Sequence, residues 1–214
     1  MNNKKVYLVG GRQYNEYLNW IYDLGYELTN DLNESSLVFF AGGSDCQPSL
    51  YGESEGKYTY TNPQRDLEEL DIWNKSKDIP KIGICRGNQF LSITNGYKLT
   101  QHINHPSYHL IKTIDNKSLM VSSSHHQLVL LQPGTKFKQS VFELIGWSDR
   151  LSDKHLNGDN IDYHFAQDYK EPEIVLYQSE SFGTSLGIQM HPEYLDINDE
   201  SVQYCQKLVK ENLQ

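Results

Sequence analysis

Residues 81–91, Lys-Ile-Gly-Ile-Cys-Arg-Gly-Asn-Gln-Phe-Leu, constrain the fold more than any other stretch of this chain. A short apolar run, Ile82 to Ile84, stops at Cys85, and a helical pattern through Phe90, Leu91 and Ile93 begins almost at once. Strand and helix must therefore meet in a very tight turn with Cys85 at its apex. Gly83 and Gly87 flank the cysteine and remove the Cβ atoms that would collide where the two elements nearly touch. The Gly-x-Ser-x-Gly elbow has this geometry, with oxygen in place of sulfur. It lifts the side chain over the end of a sheet and sets it at a helix N-terminus, where the dipole and free amides favour a thiolate. A buried core cysteine is the plain alternative.

A cysteine nucleophile needs a base within hydrogen-bond reach, and the base needs a third group to hold its tautomer. Residues 187–193, Gly-Ile-Gln-Met-His-Pro-Glu, offer both. His191 and Glu193 lie two apart, and residues at that spacing in an extended segment point to one side. Pro192 biases His191 toward the extended conformation. A histidine and a glutamate in a surface turn would look the same in isolation.

Length and charge narrow the classes. The chain has 214 residues, ample for one domain with a real core over 1–214, and a formal net charge of −9. A phosphate-tracking surface needs a basic stripe, and none is present, so nucleic acid is not an expected partner. No apolar run approaches the length that spans a bilayer, and Val6 to Val9 is too short for a signal peptide's apolar region. Three widely spaced cysteines, at 46, 85 and 205, fit a reducing compartment better than a disulfide framework, so a cytoplasmic location is expected.

The flanking segments read as alternating strands and helices. Lys5 to Val9 and Leu37 to Ala41 are nearly continuous apolar runs suited to a sheet covered on both faces. Tyr14, Tyr17, Leu18 and Ile21 recur at helical spacing, with Gly25 as a stop. Gly10-Gly11 lacks the further glycine or lysine of the phosphate loops and reads as a turn. Gln64 to Lys77 reads as an amphipathic helix with Leu67, Leu70 and Trp73 on its apolar stripe, and Arg65, Asp66 and Glu69 as a surface ion-pair set. Residues 110–114 and 119–123 form a hairpin around Asp115-Asn116. Residues 174–177 and 185–190 pair as strands, and Val202, Cys205, Leu208 and Val209 mark a last amphipathic helix. His102, His105 and His109 share no helical or hairpin register that would align them on zinc, so no metal site is expected.

Three stretches carry a resemblance to a known family. Residues 83–89 (Gly-Ile-Cys-Arg-Gly-Asn-Gln), 187–193 and 39–45 (Phe-Phe-Ala-Gly-Gly-Ser-Asp) together resemble the class I glutamine amidotransferase-like superfamily. Asp45 with Pro48 and Tyr51-Gly52-Glu53, Arg65-Asp66 with Glu69, and Ser124-His125-His126-Gln127 are similar to its γ-glutamyl hydrolase branch, which includes γ-glutamyl-γ-aminobutyrate hydrolase. The likeness runs over residues 36–194 in the family's order. It departs at residues 149–172, a polar excursion where the family has a short turn.

The resemblance implies an α/β fold of three layers, flavodoxin-like, with a mostly parallel central sheet and helices on both faces. It implies a Cys85–His191–Glu193 triad and an oxyanion hole from the Gly43 and Arg86 amides. Gln89, His126 and Asp45 are implied as substrate-binding residues, and Arg65, Asp66 and Glu69 as neighbours of the site. His126 competes for the role of base, and His191 is preferred for its acid partner at fixed spacing. The implied reaction is hydrolysis of a small γ-glutamyl amide through a thioester, with no cofactor. A glutaminase subunit that hands ammonia to a separate synthetase is the alternative, and a non-catalytic binding module on the same fold is a third reading. A homodimer or a synthetase partner is left open.

Overall fold

The apolar runs of the first half lie side by side as parallel strands, each followed by a helix or turn that returns the chain to the same edge. The computed structural model describes residues 4–104, 107–134, 136–158, 165 and 168–214. His105 and much of the polar excursion (159–164, 166 and 167) lie outside the described residues. The first half comprises β1 (Lys4–Val9), α1 (Asn15–Asp23), β2 (Tyr26–Thr29), β3 (Leu37–Phe40), α2 (Pro63–Lys75), β4 (Lys81–Ile84) and α3 (Arg86–Thr94). The second half adds β5 (Tyr97–Thr100), β6 (His102–Ile103), β7 (Tyr108–Thr113), β8 (Ser118–Ser122), β9 (Leu128–Pro133), β10 (Val141–Ser148), β11 (His155–Leu156), β12 (Pro172–Ser179), β13 (Gly183–Ile188) and α4 (Glu200–Asn212).

Nine strands form one sheet in the order β2-β1-β3-β4-β13-β12-β10-β7-β8. The five from β2 to β13 are parallel, and the pairs beyond β13 are antiparallel. The sheet is thus mixed, with its parallel half around Cys85. The reason is local: β7–β8 and β12–β13 are joined by short turns, and such hairpins can only run antiparallel. Every residue of β3 and β4 is buried, as strands with both faces covered require. Side chains of α1 and α4 join one apolar cluster on one side of the sheet, and those of α2 and α3 join a second. No helix of the described residues is long and apolar enough to cross a membrane.

The hairpin around Asp115-Asn116 forms as expected, with Asn116 at a φ of 63°. The helix over 63–75 differs from its sequence reading. Leu67 is 63 % exposed, whereas Asp66 and Glu69 are buried beside Trp73. The charged trio is therefore not a surface set. Its carboxylates face inward because the Arg86 guanidinium is buried there and needs them: Arg86 Nη2 lies 2.5 Å from Asp66 Oδ1, and Nη1 is bound by Glu69 Oε2. In the segment after β3, Leu50 and Tyr51 pack into the α2–α3 side of the core.

Candidate active site

At the end of β4 the chain turns sharply. Cys85 has φ 53° and ψ −110°, a conformation that side-chain-bearing residues rarely adopt, and α3 starts at the next residue. Glycines make this possible. A Cβ on Gly83 would lie 2.3 Å from the Gly87 carbonyl carbon, and one on Gly87 would lie 2.0 Å from the Phe40 oxygen. Strand β4, the start of α3 and the end of β3 thus press together through bare backbone. Cys85 is 8 % exposed, and its backbone N–H donates to the Ile188 oxygen at 2.8 Å.

That last bond brings the distant segment in. Ile188 pairs with Ile84 in the parallel β4–β13 ladder, so the chain leaving β13 arrives beside the elbow. His191 follows three residues later and is buried, with Nδ1 2.6 Å from Glu193 Oε1. The opposite nitrogen, Nε2, is buried with no hydrogen-bond partner, and Cys85 is among the groups that act on the ring electrostatically. A Cβ placed on Gly42 would be 3.4 Å from His191 Cε1 and 3.5 Å from Cys85 Cβ, so one turn touches both groups. Burial alone disfavours a charged ring here. The attraction of Cys85 and Glu193 for the charged ring outweighs it, and the His191 pKa rises to about 10.

A cavity of about 190 Å³ opens over Cys85, lined among others by Gly43, Asp45, Tyr60, Gln89 and His126. Gln89 sits one helical turn from Cys85 and is fixed by its Nε2, which donates to the Gln127 oxygen at 3.0 Å. His126 Nε2 lies 3.1 Å from Asp45 Oδ1, and the other Asp45 oxygen accepts the Tyr60 N–H at 2.8 Å. His126 therefore also has an acid partner, so the presence of one does not separate the two histidines. What sets His191 apart is its place at the Gly42 turn that also touches Cys85. The rings of His125 and His126 diverge: His126 is 38 % exposed at its side chain, while His125 is turned inward, its Nε2 3.8 Å from Glu173. Among the described residues no group of three or more His, Cys, Asp or Glu could hold a metal. His102 instead stacks on Tyr58, with ring centroids 4.3 Å apart.

Of the eight residues singled out from sequence, Gly43, Asp45, Cys85, Gln89 and His126 line the cavity, His191 with its partner Glu193 lies beside Cys85 at the Gly42 turn, and the Arg86 guanidinium points away toward α2. Three side chains escaped the sequence reading. Tyr17 accepts the Gly42 N–H at 3.0 Å, and burial with Glu193 nearby raises its pKa, so the phenol stays neutral. Tyr194 stacks on the His191 ring at 4.8 Å, and Ser122 Oγ donates to the His191 oxygen at 3.1 Å. Tyr17 sits on the buried stripe of α1 and looks like any core aromatic in sequence.

Known proteins share this arrangement's frame. The Peptidase C26 family model matches residues 28–148, which include Gly43 and Cys85 but not His191. The glutamine amidotransferase-like protein YvdE of Lactococcus lactis is 28 % identical over 127 residues, 48 % of this chain and 54 % of that protein. The chain thus spans about half the length of that curated relative. A glutamine amidotransferase structure from Thermotoga maritima superposes with a TM-score of 0.56 at 16 % identity, covering 99 % of this chain and 86 % of that one. PurLQS, also from Thermotoga maritima, gives 0.53 at 13 % identity, over 89 % and 88 % of the two chains. These likenesses establish the class I glutamine amidotransferase-like fold. With a family match over more than half of its residues, the chain belongs to the Peptidase C26 family.

Proposed function

We propose that the chain is a cysteine-dependent hydrolase that cleaves the γ-glutamyl amide bond of a small γ-glutamyl compound. The observation that carries this is the pairing of a cysteine held in a strained elbow with a buried histidine whose far nitrogen is fixed 2.6 Å from a carboxylate. Cys85 gives its proton to His191, and the sulfur attacks the γ-carbonyl carbon. Glu193 stabilises the resulting imidazolium. The tetrahedral oxyanion takes N–H bonds from Gly43 and Arg86. The C–N bond then breaks as His191 protonates the leaving amine. Water, deprotonated by His191, adds to the thioester and releases glutamate and the free thiol.

Two features support the oxyanion assignment. The Gly42 N–H is taken by Tyr17, so Gly43 supplies the next amide on the exposed side of the turn. Arg86 opens α3, and a first helical residue has no intrahelical acceptor for its N–H. Each such donor is worth about 10²–10³ in rate. Gln89, Asp45 and His126 supply polar contacts for the glutamyl group, and no cofactor is needed.

The test is to incubate the purified chain with a panel of γ-glutamyl amides and glutamine and to follow glutamate release, with Cys85→Ser alongside. Release that stops in the variant is expected. The PurLQS likeness motivates a second reading, a glutaminase that passes ammonia to a synthetase; it expects little turnover until a synthetase is added. Silence under every condition would leave a binding module on the same fold.

A further inference from the structure

Helix α2 reaches both of the residues whose amides were just assigned. Arg65, largely covered, donates from Nη2 to the Ala41 oxygen at 2.9 Å and from Nε to Glu69 Oε1 at 2.8 Å. Its third nitrogen, Nη1, lies against Gly43 so closely that a Cβ there would be 2.0 Å away. The second oxygen of Glu69 binds Arg86, the residue whose amide is the other donor. Asp66 links the same pieces, with Oδ1 on Arg86 at 2.5 Å and Oδ2 accepting the Gln47 N–H at 3.0 Å.

Gly43 needs such support. Its φ of 147° is open mainly to glycine, it is exposed, and it has no side chain to anchor its peptide plane. If that plane rotated, a carbonyl would face the pocket where an N–H is required. An oxyanion donor works only within about 2.7–3.1 Å of where the charge develops. We infer that Arg65 is a positioning residue: by bridging Ala41 and Glu69 and packing on Gly43, it holds the Gly43 amide in register with the Arg86 amide. The planar guanidinium is suited to this, because its donors leave a rigid plane in fixed directions, whereas those of an ammonium rotate about a single point. The inference rests on the oxyanion role proposed above.

The experiment compares wild type, Arg65→Lys and Arg65→Ala by three readouts. These are steady-state glutamate release, the rate of Cys85 alkylation by iodoacetamide, and the ¹⁵N relaxation order parameter of the Gly43 amide. Both variants are expected to lose about 10²-fold in kcat, one donor's worth, with KM within about twofold. Alkylation is expected to stay at the wild-type rate while the Gly43 order parameter falls, and millimolar guanidinium is expected to restore part of the kcat of Arg65→Ala. Arg65→Lys keeps a cation for Glu69, so it guards against simple unfolding. The inference is overturned if the Gly43 order parameter is unchanged, if Lys restores full activity, or if alkylation falls in step with kcat, which marks general loosening. Should wild type release no glutamate, the hydrolase reading fails, and the Gly43 order parameter still decides whether Arg65 braces the turn.

Discussion

Cys85 holds a backbone conformation that costs on the order of 1–3 kcal/mol for a residue with a side chain. Replacing it with glycine releases that strain. Cys85→Gly is expected to gain about 1 kcal/mol in urea unfolding while losing all turnover; an unchanged or lower midpoint would show that the elbow is not strained. Gly83 and Gly87 behave oppositely. Because their missing Cβ atoms would meet backbone rather than movable side chains, Gly87→Ala is expected to cost more than about 4 kcal/mol and to be recovered mostly insoluble. The third prediction concerns protons. His191 titrates near 10 instead of its ordinary 6.5 because Cys85 and Glu193 favour the charged ring over its burial. A raised folded pKa gives stabilisation that is complete below 6.5 and lost as pH climbs through 10. Glu193→Gln removes one of the two partners, so the alkaline limb of kcat/KM moves to lower pH and kcat falls about 10²-fold or more. A limb that stays in place would take Glu193 out of the proposed triad.

At the scale of elements, α2 shows why hydrophobic spacing can mislead. Leu67 and Trp73 share a stripe in sequence, yet only Trp73 is buried. The inward face is set by a partner that arrives later in the chain, the Arg86 guanidinium, whose two ends are met by Asp66 and Glu69. Removing one member leaves an unbalanced buried charge. Glu69→Ala is expected to cost about 3–5 kcal/mol, whereas Leu67→Ala on the exposed side stays within about 0.5 kcal/mol. Chemical denaturation of the two variants side by side checks the assignment of faces. Equal costs would mean that the helix is turned differently.

For the molecule as a whole, β4 is a spine with a charge at one end and the Cys85 sulfur just past the other. Lys81, at its start, is fully buried, and its Nζ donates to the oxygens of Ser76, Ile79 and Phe182 at 2.7, 2.8 and 3.0 Å. Those carbonyls belong to the end of α2, the link to β4 and the β12–β13 turn, so one ammonium joins three parts of the fold at the end opposite Cys85. Burial lowers its pKa from 10.5 to about 8. A depressed folded pKa means that stability rises as pH climbs from about 8 to 10.5 and is lost as pH falls back through 8. Wild type is therefore expected to gain on Lys81→Met across that interval in a series of urea midpoints. Parallel curves would show that the ammonium is not desolvated.

By itself, the sequence determined the elbow, the His191–Glu193 pair, the strand–helix alternation and the Asp115-Asn116 hairpin, because each is fixed by residues within one turn of each other. The glycines at 83 and 87, the proline between His191 and Glu193, and the continuous apolar runs act over a few bonds and are visible in the letters. Only the tertiary structure decided that β10 lies between β7 and β12, that the charged side of α2 faces inward, and that Tyr17, Tyr194 and Ser122 close around the site. Those outcomes depend on which segments become neighbours once the chain is packed. A guanidinium or phenol seeks whatever partner ends beside it, and separation along the sequence carries no record of that choice.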